Sequence, residues 1–66
     1  MHSVKIFDED GKEILSYSYE SADDAYESFL AFSRVFKNYL LKGRHITLCR
    51  FKGNSMMHCA KFDGVA

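Results

Sequence analysis

The chain has 66 residues, 47% of them hydrophobic and 15% aromatic, and nine Lys/Arg balance nine Asp/Glu. That length allows one small domain, and that composition excludes disorder, which needs low hydrophobicity and high net charge. The longest apolar runs, such as Phe29-Leu30-Ala31-Phe32, fall far short of the ~20 residues of a membrane span, and zero net charge removes the simplest case for a nucleic-acid binder.

His2-Ser3-Val4-Lys5-Ile6-Phe7 and Ile14-Leu15-Ser16-Tyr17-Ser18-Tyr19 alternate and are rich in strand formers. Asp10-Gly11 between them predicts a type I′ hairpin turn. In that register Glu9 faces Lys12, Phe7 faces Ile14, Ile6 faces Leu15, Val4 faces Tyr17 and His2 faces Tyr19. One face is then apolar, and the other carries Ser3, Lys5, Ser16 and Ser18. Ser21-Ala22-Asp23-Asp24 opens a helix, with Ser21 as cap and two carboxylates against the positive end of the dipole. The 3.6-residue period puts Ala22, Ala25, Tyr26, Phe29, Ser33, Phe36 and Leu40 on one stripe, flanked by Phe32 and Tyr39. The helix is predicted over 22–41, with Gly43 following its end.

Residues 45–51 and 56–62 form a second strand pair. Lys52-Gly53-Asn54-Ser55 is its turn, with Gly53 at the first central position of type II′. The tail Asp63-Gly64-Val65-Ala66 is expected to fray. The order is ββαββ, an α+β fold with a four-stranded antiparallel sheet and one helix on one face.

The second hairpin is apolar on both sides. Gly53-Asn54 as the turn sets Ile46, Leu48, Met57 and Cys59 on one face. Cys49, Phe51, Met56, Ala60 and Phe62 fall on the other, with Cys49 facing His58. One helix covers one face, so something else is expected to cover the second, most economically another copy of the chain. Phe7 and Ile14 extend the same face. The predicted contact residues are Phe7, Ile14, Phe51, Met56 and Phe62, with Arg44, Arg50 and Lys52 as a charged rim.

Charge is uneven along the chain. Residues 1–35 hold three Lys/Arg and eight Asp/Glu, and residues 36–66 hold six and one. Such asymmetry can orient a partner, and helix-dipole preference explains part of it. The acidic segment Asp8 to Glu13, with Asp23, Asp24 and Glu27, is a second possible contact, for a basic partner.

Arg44, Arg50, Lys52 and Lys61 beside Phe51, Phe62, His45 and His58 suggest an alternative, in which cations meet phosphates and rings stack on single-stranded bases. A metal site is not expected. His45 and Cys49 stand ~13 Å apart on one strand, and Cys59 falls on the face opposite His58. The two cysteines, with no secretion signal before them, read as reduced thiols in a cytoplasmic protein. Tyr17, Tyr19, Tyr26 and Tyr39 read as core aromatics with hydroxyls at the rim. There is no phosphate loop or nucleophile elbow, and no cofactor is implied. The expectation is a non-enzymatic protein-interaction module, homodimeric through its sheet. By analogy with other short domains it would act as a regulator, adaptor or inhibitor, including accessory proteins of phages and mobile elements.

Overall fold

The computed structural model describes residues 1–64. Its elements are β1 (His2–Phe7), β2 (Glu13–Tyr19), α1 (Ala22–Tyr39), β3 (His45–Lys52) and β4 (Ser55–Asp63). The strands form one antiparallel sheet in the order β2-β1-β3-β4, so the two hairpins lie side by side and α1 crosses one face. The ββαββ reading holds.

The first hairpin keeps its predicted register over most of its length: Ile6 faces Leu15, Val4 faces Tyr17 and His2 faces Tyr19. The turn differs. Phe7 pairs with Glu13, not Ile14, and the pairing shifts between Ile6 and Phe7, which leaves Ile14 as the extra residue of a bulge. A type I′ turn would need positive φ at Asp10, and Gly11 alone in this loop has it, at 81°. Asp8 organises the loop instead. Its Oδ1 accepts from the backbone N–H of Asp10 and of Lys12, each at 2.9 Å, and its N–H donates to the Lys12 carbonyl.

Ser21 caps α1, with extended φ/ψ and its Oγ accepting from the Asp24 N–H at 3.0 Å. The helix stops at Tyr39 because Leu40 adopts extended ψ. The tail is less free than expected. Asp63 ends β4, and the Gly64 N–H donates to the Arg44 carbonyl at 2.8 Å. A Cβ at Gly64 would overlap the Leu41 carbonyl, so only glycine fits this approach. Val65 and Ala66 lie outside the described residues.

The core is Val4 and Ile6 of β1, Ile46 and Leu48 of β3, and Ala25 and Phe29 of α1. Tyr19, Phe32, Phe36, Leu40, Ala60 and Phe62 pack around it. A helix is about 10 Å wide and strands are spaced about 4.8 Å, so one helix covers two strands. The two it covers are the central pair. β2 and β4 are mostly exposed even on the helix side. The tyrosines follow from this. Tyr19 is half-buried and its hydroxyl meets Ser28 Oγ at 2.5 Å, but Tyr39, at the helix end, is 78% exposed, and Tyr17 and Tyr26 are also exposed. The expectation of four core tyrosines is corrected to one.

Leu48→Ala removes a fully buried side chain at the centre and is expected to cost about 2–5 kcal/mol, enough to unfold much of so small a domain. Ser21→Ala is expected to cost only ~1 kcal/mol. Urea titrations followed by circular dichroism check both.

Candidate functional site

The face of the sheet away from α1 carries three rows that span all four strands, with the His45–Asp63 pair beyond them. Lys61, Thr47, Phe7 and Glu13 form the row nearest the first hairpin turn. Cys59, Cys49, Lys5 and Ser16 form the middle row, and Met56, Phe51, Ser3 and Ser18 the last. None of the helix residues reaches this side. Its β3–β4 side is apolar and rich in sulfur, with Lys5 and the serines on the β1–β2 side and Lys61 in the adjoining row. Lys5 spans the rows, with Nζ 3.3 Å from Glu13 Oε1 and 5.2 Å from the Phe51 ring centroid. Met56 is 62% exposed, and Phe51 is half-buried.

A second bulge sets this arrangement. The β3–β4 pairing shifts between Arg50 and Phe51, so that Phe51 faces Met56 but Arg50 faces His58, and Met57 is the extra residue. Every later residue of β4 changes face relative to a plain two-residue hairpin. Gly53 itself behaves as expected, with φ 59° at the first central position. The shift corrects four assignments. Ala60 and Phe62 lie on the helix side, where the Phe62 ring stands 5.9 Å from that of Phe36. Cys59 lies on the open side, and His58, still exposed, lies on the helix side with its ring 4.8 Å from that of Phe29.

Cys49 now faces Cys59, not His58, and the two are joined by a disulfide with their Cα atoms 4.1 Å apart. That spacing is of the closely approached kind of antiparallel pair, in which side chains lie nearest one another. The reading of two reduced thiols is therefore corrected: the bulge brings to one row sulfurs that a regular hairpin would put on opposite faces. Met56 Sδ lies 3.2 Å from Cys59 Sγ.

The predicted contact residues separate. Phe7, Phe51 and Met56 share the open face, Ile14 sits on the bulge at its margin, and Phe62 is turned inward. The charged rim does not form. Arg50 is on the helix side, its guanidinium 5.5 Å from the Tyr26 ring. Arg44 and Lys52 flank opposite ends of β3, ~26 Å apart at 3.3 Å per residue. Arg44 is also held by Glu9, Nε to Oε2 3.6 Å. The acidic and basic halves of the sequence are thus interleaved in space. The acidic turn meets Arg44, and Asp23 and Asp24 lie at the other end, beyond Tyr19. The basic and aromatic groups of the second hairpin do not share one face: Phe51 and Lys61 are on one side, Arg50, His58 and Phe62 on the other.

Sequence reasoning missed a second apolar strip. Leu15 and Tyr17 of β2 and Val35 and Tyr39 of α1 are all exposed along the flank between helix and sheet. The comparison of one helix width with four strand widths was the available signal. A cleft of about 220 Å³ opens at the helix C-terminus, lined by Val35, Phe36, Tyr39, Leu41, Arg44 and Ile46. It is smaller than the ~300 Å³ at which small-molecule pockets begin. No helix among the described residues is long and apolar enough to cross a membrane.

No family model, curated protein or solved structure matches the chain.

Opening the disulfide is expected to cost no more than about 3 kcal/mol, because it closes a short loop already held by the β3–β4 ladder. Thermal melts of the oxidised and reduced protein, each at fixed concentration, check this. A reduced chain without a cooperative transition would show that the bond is required for folding.

Proposed function

We propose that the protein is a non-enzymatic interaction module that binds another protein, a second copy of itself first of all, through the sheet face opposite α1. The observation that carries this reading is the apolar β3–β4 half of that face: Phe51, Met56 and the Cys49–Cys59 pair lie away from their own helix, with Met56 and Cys59 exposed, Phe51 half-buried and Cys49 buried, beside Ser3, Ser18, Lys5 and Lys61. An apolar cluster flanked by polar groups is the anatomy of a protein interface. A two-fold axis through the face would let each copy cover the other with the same residues. Regulation, adaptation or inhibition of a partner is the role such a module would serve. If the protein works in the cytoplasm, ambient thiols would compete for its disulfide. An oxidising compartment would preserve it.

Met56→Glu tests the reading with little risk to folding, since Met56 is exposed. Light scattering on the wild-type protein from about 10 μM to about 1 mM is expected to show a monomer–dimer transition, with the variant remaining monomeric. A wild-type monomer throughout retires the homodimer. Retention on single-stranded DNA at ~150 mM salt that Met56→Glu leaves unchanged would favour a nucleic-acid role instead.

A further inference from the structure

We propose that the Cys49–Cys59 disulfide is a thiol-exchange site, opened by low-molecular-weight thiols through attack on Cys59 Sγ, and not a permanent staple. This holds for the free protomer whatever partner the sheet takes.

The two half-cystines differ in access. Cys49 is 2% exposed on the interior strand β3, whereas Cys59 is exposed on the edge strand β4. Exchange requires the incoming thiolate to approach behind the sulfur it attacks, along the S–S axis, so access selects the sulfur. The pair is directly opposite across two neighbouring strands, so this axis runs across the sheet. Behind Cys59 lies the free edge of β4, with no further strand among the described residues. Behind Cys49 lies β1, where Lys5 stands directly opposite and reaches toward Glu13 and Phe51. Met56, three residues before Cys59 on the same edge strand, also touches its Sγ.

The fold does not depend on the bond to keep β3 and β4 together. Their ladder runs from His45 and Asp63 to Lys52 and Ser55, and Ala60 and Phe62 of β4 pack against the core from the other face. The bond can therefore open in a folded protein. A thiolate such as that of glutathione forms a bond to Cys59 Sγ. The Sγ–Sγ bond breaks and its electron pair leaves on Cys49 Sγ, which takes a proton from water. A second glutathione thiolate attacks the glutathione sulfur of the mixed disulfide and releases Cys59 as a thiolate. Two glutathione thiols are oxidised to one glutathione disulfide, and one protein disulfide is reduced to two thiols.

The wild-type protein is treated with reduced glutathione under native conditions, quenched with acid and mapped by mass spectrometry. The adduct is expected on Cys59, with the circular dichroism of the fold retained. An adduct on Cys49, or a bond that opens only in denaturant, would overturn the proposal. Single variants give an independent readout with a chromogenic aromatic disulfide. Cys59 in Cys49→Ser is expected to react about tenfold or more faster than Cys49 in Cys59→Ser, the difference vanishing in denaturant. Equal native rates would contradict the asymmetry.

Discussion

One helix laid on four strands is the constraint from which the rest of this molecule follows. Ala25 and Phe29 seat on Val4, Ile6 and Leu48, and those side chains are almost wholly withdrawn from water. This contact joins the two hairpins through the β1–β3 pair and fixes where the helix lies. It also spends the helix on the middle of the sheet. The edge strands keep Leu15, Tyr17 and Met57 in water, and the far face receives no cover from α1. A domain of this size buries only about 60% of the surface its unfolded chain exposes, so apolar groups left outside are a consequence of length as well as of design. What distinguishes the far face is their arrangement: a ring, a thioether and a disulfide adjoin one another in two rows at the β4 edge, with hydroxyls and ammonium groups beside them.

Two bulges, one per hairpin, tune that arrangement. In the first, Ile14 is displaced at the end of the sheet, and the pairs nearer the middle are untouched. In the second, Met57 is displaced near the turn, and the whole remaining strand is reassigned. The loop that accompanies an extra residue decides its effect. The five-residue loop 8–12 offsets Ile14, so the inner pairs of the first hairpin keep their register, whereas the two-residue turn Gly53-Asn54 offsets nothing, and Met57 decides which side chains of β4 enter the core. Placing Ala60 and Phe62 inside gains burial against Leu48, Ile46 and Phe36, and placing Cys59 outside puts it across from Cys49.

Much of the architecture was legible in the residues. The alternation of β1 and β2, the Ser21 cap, the helical stripe through Phe29 and Phe36, and Gly53 at its turn each state their own structure. The order of strands was not legible, because hairpins report only their own pairing. The bulges were not legible either. A β-turn signal such as Asp10-Gly11 fits more than one loop, and the choice was made by Asp8, whose carboxylate collects two backbone N–H groups. On the far face, Phe51 and Met56 were placed correctly because their pair precedes the second bulge, and Phe7 because the first bulge lies in β2 and leaves the alternation of β1 intact. Phe62 and the cysteine pairing lay beyond it and were misassigned. The charge asymmetry misled for a related reason: the β1–β3 pairing joins the two halves of the sequence, so Arg44 meets Glu9.

The claim that α1 leaves the far face open to solvent at Met56 can be measured directly by hydroxyl-radical footprinting of the dilute, oxidised protein. Each residue's rate is referred to its rate in the unfolded chain. The account predicts that Met56 reacts nearly as in the unfolded state, Phe51 at an intermediate level, and Val4 and Leu48 hardly at all. Protection of Met56 and Phe51 equal to that of Leu48, at concentrations where the protein is monomeric, would contradict it.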